Sequence, residues 1–396
     1  MSRIDDLIER LSPNGIEFRT LADVAKTVSG LTGKSKSDFS GGNSRFVSYK
    51  NAFANRAVDQ TVRDFVRVAP NERQNRLRVG DVVFTGSSEN TEDVGMSSVV
   101  LTEPTEPLYL NSFCFAVRFS NPELLDPDFS KHLFRSEMIR AQIRRAASGV
   151  TRINISRDRF SRIRFPIPPA EVQLEIVRVL DAFGALEAEL EAELEARRHQ
   201  YAYYRDLLAT SSGATARWVQ LGEVASVRVG QAPPDGVVVE SGPFGFVNAG
   251  TSESGRAIEA NTLGGAVTIP SRGHGGVGVV GFQTDDFWCG PLCYRIVSAH
   301  EGLRTRYLYH YLKSIQPSIR GLQQVGGTPA LNRKELILVR VPVPQVDEQE
   351  RIVNLLDKFD ELVNDLSTGL PAELNARRKQ YEHYRDRLLT FKELAA

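Results

Sequence analysis

Cysteine is scarce in this 396-residue chain, with only Cys114, Cys289 and Cys293. An odd, sparse set excludes a disulfide scaffold and fits a reducing compartment, so a cytoplasmic location is expected. No apolar run reaches the ~18–20 residues that a membrane-spanning helix needs, so no membrane association is expected. The opening MSRIDDLIERL has two aspartates and no apolar stretch, and does not read as a secretory leader. Net charge is also missing: Lys plus Arg and Asp plus Glu both count 49. That zero is a sum over unlike parts, because TRINISRDRFSRIR is basic and LEAELEAELEA is acidic. Catalytic signatures are absent too. There is no Asn/Asp-Pro-Pro-aromatic motif, no Gly-rich S-adenosylmethionine fingerprint, no acidic pair marking a nuclease centre and no HExxH. GLTGKS at Gly30–Ser35 has Val28 where a phosphate loop needs its first glycine. CGPLC has no second Cys or His pair at zinc spacing and reads as a strand with buried thiols. Intrinsic catalysis, a bound metal and a cofactor in this chain are therefore not expected.

What the chain does have is repetition. FPIPPAEVQLEIVRVLDAFGAL (Phe165–Leu186) overlays VPVPQVDEQERIVNLLDKFDEL (Val341–Leu362). At a constant offset Pro166 meets Pro342, Gln173 meets Gln349, Ile176 meets Ile352, Asp181 meets Asp357 and Phe183 meets Phe359. After a four-residue slip, EARRHQYAYYRDLL overlays NARRKQYEHYRDRLL. Upstream, LADVA resembles LGEVA, LYLNSFCFAVRF resembles DFWCGPLCYRIV, and FSKHLFRSEMIRAQI resembles TRYLYHYLKSI. The unit is a globular domain followed by a long helix, present twice. Asp5–Ala25 overlays the exit of the first long helix, so the N-terminal stub reads as the end of a helix whose body lies at the C-terminus. The arrangement is cyclic with pseudo-twofold symmetry.

The long segments repeat apolar residues at three- and four-residue steps, through Ile176, Leu180, Phe183, Leu190, Leu194 and Tyr201 in one and Ile352, Leu356, Phe359, Leu362, Leu374 and Tyr381 in the other. Such a narrow stripe buries itself against another helix, and two of them in one chain pack most simply on each other, antiparallel. The prolines of PIPP and PVPQ mark helix starts. STGLPAEL puts Gly369 and Pro371 inside the second pattern, which predicts a kink or a short break with Pro371 near a new helix start. The globular parts alternate strand-like runs (SRFVSY, GDVVFTG, SSVVL, AVTIP, GVGVVGF, LCYRIV) with Gly-rich turns. Each has one amphipathic helix late, the first capped at Asp126 and the second starting near Arg304. The fold class is α+β, with two globular domains in tandem separated by two long antiparallel helices. The expected boundaries are 1–12 for the N-terminal helix, 13–165 for the first domain, 166–214 for the central helix, 215–341 for the second domain and 342–396 for the distal helix.

The two-copy layout, the P-x-P…Q…I-V…L-D…F helix entry and the A-R-R-x-Q-Y-x-x-Y-R-D helix end together resemble the specificity subunit of type I restriction-modification systems. The resemblance covers essentially the whole chain. It implies a non-catalytic subunit whose two target recognition domains each read one half of a bipartite, asymmetric site on double-stranded DNA. It also implies an antiparallel coiled coil that spaces the two domains and docks two methyltransferase subunits, with restriction subunits joining the assembled enzyme. The methylation would be of adenine, with S-adenosylmethionine on the methyltransferase partner. A protein–protein adaptor, and an orphan subunit serving methylation alone, are the alternatives.

Loop donors beside tight turns are the candidates for DNA contact: Lys34, Lys36, Tyr49, Lys50, Asn51 and Arg152 in the first domain, and Arg272, His274 and Arg333 in the second. The repeated helix ends supply Arg197, Arg198, Tyr201, Tyr204 and Arg205, with their counterparts Arg377, Arg378, Tyr381, Tyr384 and Arg385. Tyr and Arg suit an interface anchor as well as a packed helix joint, so these ten residues either hold the same partner twice or build the same joint twice. LEAE, LEAE, LEAR over Leu186–Arg197 is either plain helix-forming sequence with its acids in solvent or a length cassette in which one tetrad adds ~6 Å of helix.

Overall fold

The computed structural model describes residues 3–211, 216–250, 252–273, 275–324, 327–365 and 367–394, without the side chains of 208–211. It divides into two compact units, one formed by Met1–Glu189 with Asn375–Ala396 and the other by Leu190–Leu374.

The first unit is centred on an antiparallel sheet in the order Ala25–Ser29, Cys114–Phe119, Val82–Thr85, Ser97–Val99. Val83 and Val28 both face Ala116 across the ladder. Val82, Val83 and Phe84 are fully buried, so this strand is covered on both faces. Under the sheet, Phe84, Phe115 and Phe160 pack with ring centroids 4.9–5.5 Å apart, a spacing that favours aromatic pairs. A second sheet runs Phe65–Val66, Ser44–Val47, Leu108–Leu110, its last pair parallel. Two helices follow, Pro127–Leu133 and Glu137–Ala146. The sequence reads as one helix here. The break arises because the Ser136 hydroxyl donates to Leu133 O, while the Ser136 carbonyl accepts from Ile139 and Arg140 and so starts the second helix. Asp126 caps the first helix as expected, accepting from the amides of Asp128 and Phe129.

The second unit repeats this plan. Its sheet runs Ala225–Val229, Cys293–Ser298, Ala266–Pro270, Gly281–Gln283. Its second sheet ends in a parallel pair of Phe244–Val247 with Phe287–Cys289, matching the parallel pair of the first unit. GVGVVGF reads as one strand, yet only Gly281–Gln283 pairs. Gly278 has φ +73°, a left-handed conformation that turns the chain just before it. Cys289 and Cys293 are fully buried, as expected.

In each unit a two-stranded ladder closes the domain and hands the chain to a long helix: Glu17–Thr20 pairs Arg164–Ile167, and Arg217–Gln220 pairs Arg340–Val343. The first proline of each P-x-P run, Pro166 and Pro342, thus lies in a short strand. Each ladder has only two strands, so both strands are edges, which is where a proline without an N–H is tolerated.

The central helix spans Ala170–Ser211. In the first unit it packs against the helix Leu370–Leu388, and in the second against the helix Val346–Asn364. Glu187 meets Arg378 while Phe183 meets Tyr384, so the first pairing is antiparallel. The distal helix is broken where the sequence predicts it, with Pro371 the second residue of the new segment. Asp365 accepts from the amide and hydroxyl of both Ser367 and Thr368, and these bonds hold its carboxyl down at about 2. A Cβ on Gly369 would lie 2.5 Å from Glu361 O and 2.7 Å from Leu362 O, so only glycine fits over the exposed carbonyls of the preceding helix end. Near this break Val363 is buried and Leu362 is 37% exposed, a one-residue shift from the expected stripe. The N-terminal helix Arg3–Leu11 joins the first unit's core through Ile4, Leu7 and Ile8, beside Leu388, Leu389 and Phe391. Ile16 pairs with Lys392 and Leu394 through backbone hydrogen bonds.

Candidate nucleic-acid interface and helix joints

Each domain is fixed to its long helix by one set of bonds, made twice. Gln173 is 3% exposed; its Oε1 accepts from Asp126 N at 2.8 Å and its Nε2 donates to Pro168 O. Gln349 is fully buried; its Oε1 accepts from Arg304 N at 2.8 Å and its Nε2 donates to Pro344 O. About two turns further on, His132 Nε2 meets Asp181 at 2.8 Å and His310 Nε2 meets Asp357 at 2.7 Å. A carboxylate only accepts, so each Nε2 carries the proton. Burial would raise both aspartates, but the hydrogen bonds from His132 and Lys131, and from His310 and Arg306, outweigh it and hold them low. Burial lowers His132 despite the Asp181 charge.

The joints differ at the other ring nitrogen. His132 Nδ1 accepts from the Tyr381 hydroxyl at 2.8 Å, whereas His310 Nδ1 is buried with no partner among the described residues. Tyr201, the counterpart of Tyr381, instead stacks on Phe359 at 6.3 Å.

These contacts sort the ten residues of the repeated helix ends. Tyr201 and Tyr381 are 7% and 2% exposed. Tyr204 stacks on Phe359 at 5.7 Å and Tyr384 on Phe183 at 5.3 Å. Arg205 and Arg385 pair with Asp206 and Asp386 and lie over the rings of Tyr201 and Tyr381. Arg197 and Arg377 donate to Gln200 and Gln380 on their own helices. The tyrosines and last arginines therefore build joints. Arg198 has a half-exposed side chain. Arg378 reaches Glu187 at 2.8 Å, and Arg56 grips the same carboxylate at 3.1 Å. Glu187, the first acid of the LEAE tract, is thus clamped and 15% exposed, contrary to the expectation that the tract's acids all face solvent. Glu189, Glu191, Glu193 and Glu195 do.

A cleft in the first unit, about 700 Å³, is lined by Tyr49, Phe53, Ser87, Ser88, Glu89, Asn90, Asp93, Phe113, Thr151 and Arg152. Tyr49 donates to Ser87 O at 2.8 Å and stacks on Phe53. Arg152 donates to Ser87 Oγ at 3.0 Å, and its guanidinium lies 4.9 Å from the centre of the Phe113 ring, which is 54% exposed. The wall from Asn90 to Gly95 is pre-formed. Asn90 and Asp93 exchange two hydrogen bonds of 2.7 and 2.8 Å. Buried Arg140 donates to Glu92 O and Gly95 O at 2.6 and 2.7 Å. Gly95 has φ +69°, and a Cβ there would collide with Ile143.

Two expected DNA contacts of this unit turn inward. The Lys34 side chain is 6% exposed, its ammonium held by Glu72 and Arg67 O at 2.6 Å. Asn51 is 6% exposed and ties down Asp59 through that residue's N and O. Both hold loops in place. Lys36 and Lys50 are exposed. In the second unit Arg333 donates to Val227 O at 2.7 Å. It occupies the place of Arg157, which packs on the Phe115 ring at 3.3 Å and is lowered to about 10 by burial. Arg272 is exposed and bridges to Ala330; His274 lies outside the described residues. Sequence reasoning missed His132, His310, Phe113 and Glu89. The histidines had a signal, because K-H-L and Y-H-Y fall at the same place in the repeat.

No helix among the described residues is long and apolar enough to cross a membrane, and none of their His, Cys, Asp and Glu side chains cluster as a metal site.

Comparison with known proteins gives one answer. The family profile for the type I restriction modification DNA specificity domain matches residues 13–196 and 216–376. The EcoR124I/EcoR124II type I restriction enzyme specificity subunit of Escherichia coli is 33% identical over 269 residues, covering 59% of this chain and 64% of that protein, so the match spans less than two thirds of that relative. Among solved structures, the S subunit of a type I restriction-modification system from M. genitalium matches 96% of this chain and 98% of its own at 18% identity and TM-score 0.56. A chain solved in work on complex assembly and conformational transition of the type I R-M system matches 95% and 98% at 21% identity and TM-score 0.61. At these identities the structures establish the fold.

Proposed function

The chain belongs to the family of type I restriction-modification DNA specificity subunits, and from that premise we propose that its two globular units each read one half of a bipartite, asymmetric site on double-stranded DNA. The chain itself is not catalytic. The paired helices set the untouched spacer and dock two methyltransferase subunits, which bring S-adenosylmethionine and methylate adenine. Restriction subunits join through that assembly, in the cytoplasm.

The observation that carries this reading is the doubled joint. Gln173 with His132–Asp181, and Gln349 with His310–Asp357, fasten two domains of one plan to their helices by the same bonds. Identical mountings under non-identical surfaces suit two different sequences read from one frame. The pseudo-symmetric pair of long helices also offers two equivalent docking places. Readers of half-sites about one helical turn apart need a spacer between them.

Adenine-methylation mapping tests it, in a host expressing this chain with its cognate methyltransferase subunit and in one expressing the methyltransferase alone. One bipartite motif that appears only with this chain is the expected result. A stable complex without new methylation would overturn it in favour of an adaptor whose globular units bind protein.

A further inference from the structure

The two units agree wherever they hold themselves together, so the places where they disagree at one topological position are where they can read different sequences. The outlet of the third strand of the main sheet is the clearest such place. In the first unit the strand Val82–Thr85 runs on into S-S-E-N-T-E-D, and Ser87–Ser88 pairs with Ile153–Asn154. In the second the strand Ala266–Pro270 runs on into S-R-G-H-G-G, and Arg272 bridges Ala330. The frame is the same: Ile155 N donates to Gly86 O in one, and Leu331 N donates to Ser271 O in the other. On that frame one unit carries acceptors and aromatics and the other carries an arginine among glycines.

Building on the DNA-reading role above, we propose that this outlet is the specificity-determining element of each unit, with Glu89 reading a base in the first half-site and Arg272 reading one in the second. Glu89 is exposed, and its carboxylate accepts no hydrogen bond from the described residues. It stands on a wall that Arg140 and the Asn90–Asp93 pair hold in place, so its position is set before DNA arrives. Glu89 and Asp93 both border this cleft, and two carboxylates repel phosphate. The rim therefore faces base edges, where a carboxylate accepts from the exocyclic amino group of cytosine. The exposed Phe113 ring, with Arg152 over it, supplies an apolar contact beside that acceptor, of the kind a thymine methyl takes. Arg272 makes no hydrogen bond with its guanidinium among the described residues and is exposed. Its five donors match O6 and N7 of guanine. Its neighbour Gly273 has φ +124°, a conformation open to glycine, which lets the backbone come close to a duplex.

The test is methylation mapping of Glu89→Ala, Glu89→Gln and Arg272→Ala chains, each assembled with the cognate methyltransferase subunit, beside the unaltered chain. The expected result for either Glu89 variant is about tenfold loss of discrimination at one base pair of one half-site, with the other half-site and the spacer unchanged. Arg272→Ala should relax one pair of the other half-site in the same way. If Glu89→Ala assembles but methylates nothing, the isosteric Glu89→Gln decides. An unchanged motif, or a change spread over both halves, overturns the inference while the DNA-reading role stands. Absence of any bipartite motif with the unaltered chain would overturn that role, and this inference with it.

Discussion

His132 donates to Asp181 at 2.8 Å from Nε2, and this one bond decides what the rest of the ring can do. With the proton on Nε2, Nδ1 is an acceptor that must find a donor or be buried without one. The first unit finds Tyr381; the second leaves His310 Nδ1 without a partner among the described residues. The shared bond fixes the domain to its helix, and the unshared one makes the first joint the better satisfied.

Replacing Tyr381 by Phe should therefore destabilise the protein by ~1–3 kcal/mol, the usual consequence of leaving a buried polar atom unsatisfied. Tyr201→Phe leaves the state of His310 Nδ1 as it is. Denaturant titration gives the stability change, and the 15N shift of His132 Nδ1 reports the lost donor. An unmoved shift in Tyr381→Phe would contradict the assigned tautomer.

Stability should also depend on pH through this joint. Burial holds His132 below its ordinary value in the fold, so the unfolded chain binds the proton more readily. The stabilisation is complete above the unfolded value of about 6.5 and is lost as pH falls below it toward the folded value. Asp181 and Asp357 are also depressed, so their contribution is present above about 4 and is lost on further acidification. The melting temperature should decline in two stages below neutrality. In His132→Asn the upper stage should shrink; a profile parallel to that of the unaltered chain would remove His132 as its source.

Lys50 and Lys34 should separate binding from folding. Lys50 is exposed, so Lys50→Ala should weaken DNA affinity roughly uniformly across sequences and lower the slope of log K against log salt by about 1. Lys34 is paired with Glu72 inside the fold, so Lys34→Ala should lower thermal stability first. Affinity measured over a salt series, beside melting curves, distinguishes the two.

Adding or removing one LEAE tetrad within Leu190–Glu193 should alter the length of the unread spacer and leave the bases read unchanged, because one tetrad is ~6 Å of helix. Glu187, which Arg56 and Arg378 hold, should stay outside the altered stretch. Methylation mapping reads both quantities together, and altered bases with an unchanged spacer would refute the cassette.

Much of the fold was legible because helix periodicity and internal repetition are properties of the string. The Gln173/Gln349 and Asp181/Asp357 matches marked the joints, and Gly369 with Pro371 marked the break. The second helix start at Ser136 was hidden, because a serine ends or begins a helix according to which backbone group it meets. The binding side was less legible. Lys34 and Lys50 look alike in sequence, and only the fold supplies Glu72 to one of them. Glu89 and Phe113 become neighbours because the strand outlet and the Asn111–Cys114 turn converge, and no local pattern signals that.

Tyr381 and His132 stand 249 residues apart in the chain. The first unit is assembled from two separate stretches, Met1–Glu189 and Asn375–Ala396, whereas the second is one uninterrupted stretch. At ~5–20 residues per second on the ribosome, the second unit has its whole sequence before Tyr381, Leu389 and Lys392 have been made. The part synthesised second can therefore finish folding first. The part synthesised first must wait with part of its core uncovered until Tyr381 and Leu389 emerge, and that interval is when a chaperone or a waiting partner subunit has something to hold.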